Sequence, residues 1–211
     1  MMSRDPSVPA RVATGTGHGP DRYTRTAICL HWAVAILAIF MLVLGYVMVW
    51  VPRETPLRGP LFDLHKSLGM IVFLLMISRL AWRLRYRPPA LAGVPRATVI
   101  LALTVHWLLY GLLLLQPLTG YLASAFGSYG VAFFGLPAAP FIAPNPAARA
   151  GLLTAHHVLA WLLTALAGLH VLAAWLHHAQ RRPDIAARMS VRRVGGEVRA
   201  PHDRRGGSAG R

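Results

Sequence analysis

The sequence predicts an all-α fold, an integral membrane four-helix bundle, on three observations. The runs 26–51 and 150–180 contain no Asp, Glu, Lys or Arg, and each is long enough to cross a bilayer. Only 14% of the 211 residues are charged, 55% are hydrophobic and the mean hydropathy is +0.47. A soluble domain carries about a quarter charged residues. Histidines recur inside the apolar runs, and an imidazole in hydrocarbon marks a functional site by default.

The elements follow in order. Residues 1–22, with three prolines, three glycines and few apolar side chains, cannot offset the entropy of ordering and predict a flexible tail. Residues 1–25 have no apolar core, so they do not read as a signal peptide. The first span is expected at about 26–51, with His31 in its first turns, Trp32 and Trp50 near the two interfaces, and Pro52 as its stop. A short connection at 52–64 holds Arg53, Glu54, Arg58 and Asp63. The second span, about 64–82, opens on His65; Lys66 and Arg79 near its ends can snorkel to the interface. Residues 83–96 are a basic loop with three prolines. The third span is expected at about 97–118, with His106 inside and Pro117 near its end. Residues 119–150 are apolar but rich in glycine and proline, and predict an ordered surface or re-entrant loop. The fourth span is expected at about 151–178, and 191–211 is an Arg- and Gly-rich tail. The domain itself is read as 23–190.

The formal charge of +15 would suggest nucleic acid in a soluble protein. Here it flanks apolar runs, so orientation in a membrane accounts for it and no nucleic-acid partner is expected. Eighteen of the 22 Lys and Arg lie before residue 26, between 79 and 96, or beyond 180; the other four are Arg53, Arg58, Lys66 and Arg149. This asymmetry predicts both termini in the cytoplasm. Cys29 is the single cysteine, which excludes an internal disulfide or a Cys-rich metal cluster.

On that topology His31 and His170 share the cytoplasmic half, and His65 and His156 the outer half. His156 and His170 are fourteen residues apart on one helix, within about 40° of one face and about 21 Å apart along the axis. Two imidazoles from different helices at one depth suit bis-histidine ligation of haem iron. Each histidine also has a plainer reading as a hydrogen-bonded helix contact. His106 competes with His31 for the partnership of His170, His177, seven residues beyond His170 on the same face, also competes, and His157 lies about 140° from His170 on the helix wheel. Zinc is disfavoured because the spans offer no carboxylate and Cys29 as the single thiol. Gly45, Gly69, Gly111 and Gly168 are candidates for close approach to a flat macrocycle. Arg25, Lys66, Arg79 and Arg83 are candidates for propionate or quinone contacts.

The order and spacing of several short motifs resemble the bacterial cytochrome b561 family over about 22–190. They are Tyr23-Thr24-Arg25, Ile28-Cys29-Leu30-His31-Trp32, His65-Lys66-Ser67-Leu68-Gly69 and Ser78-Arg79-Leu80-Ala81-Trp82-Arg83. His106-Trp107-Leu108-Leu109-Tyr110, Gln116-Pro117-Leu118-Thr119-Gly120-Tyr121, His156-His157-Val158-Leu159, Gly168-Leu169-His170, His177-His178, Asp184 and Arg188-Met189 complete the set. The resemblance implies two haem b groups held by the pairs His31–His170 and His65–His156. It also implies electron transfer between an outer-side donor, superoxide in one branch, and membrane ubiquinone. A bacterial inner-membrane location follows, with lipid and quinone as partners and room for a redox partner protein. The rival it implies is a haem-bearing anchor subunit serving a hydrogenase or dehydrogenase. Outside the resemblance, a haem-free transporter with a histidine proton relay is the rival of another class.

Overall fold

The computed structural model describes residues 23–86, 94–128, 130–137 and 142–179. The two tails expected at 1–22 and 191–211 lie outside the described residues, as does the end of the domain from 180. Four long helices make the fold: α1 (Arg25–Trp50), α2 (Arg58–Arg85), α3 (Arg96–Ala125) and α4 (Pro146–Ala179). Between α3 and α4 lies a two-stranded hairpin, β1 (Ala132–Phe133) with β2 (Leu136–Pro137), antiparallel and in the register Ala132 to Pro137. All four helices are long and apolar enough to cross a membrane.

Their ends have local causes. The Thr24 hydroxyl accepts from the Ala27 N–H at 3.2 Å and caps α1. It also receives the Trp82 indole N–H at 2.8 Å, which ties the start of α1 to the end of α2. At the other end of α1 the Val51 carbonyl accepts from the Arg58 guanidinium. Pro146 stands at the first position of α4, where its missing N–H costs nothing, and the Asn145 side chain accepts from the Ala148 N–H at 3.0 Å. The Asn145 N–H bonds the Phe126 carbonyl at 3.1 Å, which brings the end of α3 beside the start of α4.

Successive helices pack antiparallel in chain order. Gly45 lies against His65 while His31 lies against Arg79, so α1 and α2 run in opposite senses. Gly120 against His156 and His106 against His170 do the same for α3 and α4. The compact apolar core is Val34, Val72, Met76 and Tyr110, contributed by α1, α2 and α3. Among the contacts that join α4 to α1 are a Tyr46–Thr164 hydroxyl pair at 3.1 Å and the Tyr46–Trp161 ring contact. The outward faces are apolar, with Ile36, Leu74, Leu101 and Leu162 all more than half exposed. In water that surface would cost about 25 cal/mol per Å²; hydrocarbon is its natural solvent.

Two expectations need correction. The third span does not end near Leu118: α3 runs through Pro117 to Ala125. Proline is tolerated in membrane helices because neighbouring groups re-satisfy the freed backbone. The stretch 119–150 is therefore not all loop. It holds the last turns of α3, the hairpin and the first turn of α4. Likewise α2 begins at Arg58 rather than near 64, and Asp63 sits on it in an ion pair with Lys66 at 3.8 Å.

The hairpin is pinned to α2 by one side chain. Ser67 is fully buried; its hydroxyl donates to the Asp63 carbonyl at 2.7 Å and accepts the Phe134 N–H at 2.7 Å. Phe134 and Gly135 have φ of 47° and 79°, the positive pair of a tight hairpin turn. The left-handed conformation costs a phenylalanine energy, and the hydrogen bond its N–H donates to Ser67 offsets it. Ser67→Ala is expected to destabilise the protein by about 1–3 kcal/mol, the cost of leaving an N–H unpaired. Thermal unfolding in detergent, with a faster protease cut in the hairpin, would show it.

Candidate functional site

The intramembrane histidines fall into two groups at opposite ends of the bundle. At the hairpin end are His65 on α2 and His156 on α4; at the basic end, which carries Arg25, Arg79, Arg83, Arg85 and Arg96, are His31, His106 and His170. On α4 the two groups are about 21 Å apart.

At the hairpin end, the His65 and His156 rings lie 6.3 Å apart between centroids and nearly perpendicular, at 83°. They come from helices that are not consecutive in the packing order. Each ring abuts a glycine of a third or fourth helix. A Cβ on Gly45 of α1 would come within 3.1 Å of the His65 ring, and one on Gly120 of α3 within 2.9 Å of the His156 ring. No side chain larger than hydrogen fits either place without displacing the ring. Gly45 was among the expected close-approach glycines. Gly69 meets only Met41, and Gly111 and Gly168 face open space.

Hydrogen bonding sets the chemistry of these rings. His156 Nδ1 lies 2.9 Å from the Gln116 carbonyl, and a carbonyl only accepts, so Nδ1 carries the proton. In the neutral ring Nε2 then holds a free lone pair, and the Gln116 amide donates to it at 3.2 Å. His65 Nδ1 is buried with no hydrogen-bond partner. A buried, unpaired imidazole nitrogen calls for an explanation; for His156 to ligate through Nε2, the Gln116 amide must give that nitrogen up. The donor set of two neutral imidazoles, without carboxylate or thiolate, suits haem iron. These residues fit a b-type haem.

The basic end is arranged differently. His31 Nδ1 accepts from the Arg79 guanidinium at 2.8 Å. His170 faces His106, 5.2 Å between centroids, and His106 Nδ1 donates to the Ala102 carbonyl of its own helix at 2.6 Å. Arg79 and Arg83 both lie over the Tyr110 ring, at 5.1 and 5.4 Å, and Arg83 also over Trp107 at 5.3 Å. Cationic groups on aromatic faces are stabilised inside the bundle without a carboxylate, and their outer N–H groups can still take an anion. Arg25 is exposed at the first position of α1, and Lys66 is engaged with Asp63. His157 is exposed and donates to the Leu153 carbonyl of its own helix at 2.7 Å. His177 Nδ1 is buried without a hydrogen-bond partner.

Sequence reasoning missed Gln116 and Thr119 as neighbours of His156 and placed Gly120 in a loop. The signal was present in the block Gln116-Pro117-Leu118-Thr119-Gly120-Tyr121, whose polar groups make sense only if the helix continues through the proline.

A model of a family described as prokaryotic cytochrome b561 matches residues 22–190. The chain is 28% identical to Cytochrome b561 homolog 1 of Escherichia coli (strain K12), over 82% of this chain and 99% of that protein. It is 30% identical to Cytochrome b561 homolog 2 of the same organism, over 81% of this chain and 92% of the relative. It is also 30% identical to a Yersinia pestis protein named "Probable superoxide oxidase CybB", over 82% of this chain and 98% of that one.

Proposed function

The chain belongs to the prokaryotic cytochrome b561 family, a family of haem-bearing multi-pass membrane electron carriers, and from that membership we propose that it carries electrons through two haem b groups from an outer-side donor to membrane quinone. The observation that supports this most is the facing pair His65 and His156, each ring set against a glycine. A bound haem supplies one-electron chemistry. The chain's own residues hold and space the two centres. His65 and His156 ligate at the hairpin end, and His31 and His170 at the basic end. Arg79 and Arg83 at the basic end, and Lys66 at the hairpin end, offer charge to propionates, as does Arg25 where α1 begins. Apolar packing by Val34, Val72, Met76 and Tyr110 keeps water out of the span between them.

The hairpin end is the outer side and both termini are cytoplasmic in this proposal, on the asymmetry of Lys and Arg. The bacterial inner membrane is the location. The likeness to the Yersinia pestis protein, by its name a "probable superoxide oxidase", supports superoxide as the donor. Two superoxide anions each give up one electron and leave as dioxygen; one ubiquinone takes both electrons and two protons. Arg53, Arg58, Lys66 and Arg149 against Glu54 and Asp63 leave the outer side weakly positive, which favours an anionic donor.

The test is a pyridine haemochrome assay on protein made with ample haem and purified in mild detergent, followed by a superoxide pulse with ubiquinone present. Two haem b per chain and quinol formed at one per two superoxide are expected. A colourless preparation would discard the proposal in favour of a haem-free relay. Haem with obligate co-purification of a dehydrogenase, and no quinol from superoxide, would favour the anchor-subunit reading.

A further inference from the structure

We propose that Thr119 is a positioning residue for His156, and that through it the turn 116–120 of α3 sets the reduction potential of the haem at the hairpin end. The inference rests on the reading of His156 as an axial ligand. One helical turn supplies three things to that ring. The Gln116 carbonyl accepts the Nδ1 proton at 2.9 Å. Gly120 provides the notch, since a Cβ there would sit 2.9 Å from Cε1 and 3.1 Å from Nδ1. The Thr119 hydroxyl lies 3.3 Å from Nδ1 and 2.9 Å from both the Gln116 and Leu115 carbonyls.

The hydroxyl has one proton and two carbonyls to give it to, so it spends part of the acceptor capacity of the Gln116 oxygen that also serves His156. At 3.3 Å it is itself a poor acceptor for Nδ1–H. Its net effect is to weaken the bond from His156 to Gln116. A ligating histidine becomes more basic as its other N–H is bound more strongly, and outer partners tune a metal in this way. A more basic ligand favours ferric over ferrous iron. The threonine therefore holds the potential of this centre up, and its removal lowers it.

The same side chain has a purely structural alternative, which the choice of variants separates. Thr119→Val keeps the β-branched shape and loses the hydroxyl; Thr119→Ser keeps the hydroxyl and loses the methyl. The experiment is a redox titration of the purified holoprotein, with the low-spin ferric signals of the two haems followed separately by electron paramagnetic resonance. Thr119→Val is expected to lower the midpoint of the hairpin-end haem and to leave the other in place. The shift is on the order of tenfold in the ferric-to-ferrous ratio, the low end of what altering an outer partner does to a metal site, or about 59 mV for one electron. Thr119→Ser is expected to keep the wild-type midpoint. The proposal is overturned if Thr119→Val shifts neither haem, or if Thr119→Ser shifts the midpoint as Val does. If His156→Ala leaves both haems bound, the ligand reading itself fails and this inference falls with it. An unmoved potential with His156 confirmed as ligand would overturn the positioning role alone.

Discussion

Alanine at His65 is expected to remove one of two haems per chain, and alanine at His156 is expected to remove the same one. The two side chains come from α2 and α4, and their rings meet at 6.3 Å between centroids. Neither helix offers a second imidazole on the face that carries the pair. His157, the next residue, is turned outward and bonds its own helix at Leu153. The centre at the other end lies about 21 Å away along α4 and has its own histidines, so its haem should remain. The double variant should lose no more than either single one, because both singles already empty one site. His157→Ala is the control and should keep both haems. The measurement is haem per chain by haemochrome, with far-ultraviolet circular dichroism to show that the helices persist. Two haems retained in either single variant would break the pairing.

The fold was largely legible because a bilayer imposes length and apolarity on each span, and charge-free runs reveal both. The helix ends were less so. Pro117 reads as a stop in a soluble helix, where a lost N–H bond costs about 3 kcal/mol, yet α3 continues to Ala125. The charged residues Arg58 and Asp63 hid the first turns of α2, since a charge near an interface reads as loop until its partner is seen. Lys66 pairs with Asp63, and Arg58 reaches back to Val51. The hairpin has strands of two residues, too short for any alternation to register, and its turn depends on Ser67, sixty-seven residues earlier.

The site divides in the same way. Histidine is costly in hydrocarbon, so the candidates stood out; the order of the spans suggested common depths, and the period of a helix put His156 and His170 on one face. What a period cannot show is which atom of each ring is engaged. That His156 points its Nδ1 proton at a carbonyl, and that the carbonyl belongs to Gln116, depends on how α3 and α4 approach. Gly120 carries no chemistry of its own and becomes informative only once the His156 ring lies where its side chain would be.

At the basic end, His31→Ala and His170→Ala are each expected to lose the second haem, while His106→Ala keeps both. This prediction cuts against simple proximity, since His106 is the ring that faces His170, at 5.2 Å. The choice of His31 is what the likeness to the family implies, while the protons in this structure favour His106. His106 donates from Nδ1 to Ala102 on its own helix at 2.6 Å, which leaves a free Nε2 and makes it a credible rival. His31 instead accepts from Arg79 at Nδ1. An imidazole that ligates through Nε2 must carry its proton on Nδ1, and a protonated Nδ1 cannot accept from a guanidinium. Ligation by His31 and its bond to Arg79 therefore exclude one another. Arg79 has somewhere else to be, because the Tyr110 face holds it at 5.1 Å and an anionic propionate would draw its N–H groups. On this account Arg79→Gln lowers the affinity for the second haem while leaving its low-spin bis-histidine spectrum, since it removes charge and not a ligand. The three histidine variants decide between the pairs. Loss of the haem in His106→Ala with retention in His31→Ala would assign the ligand to α3, and His31 would then be a partner of Arg79 alone.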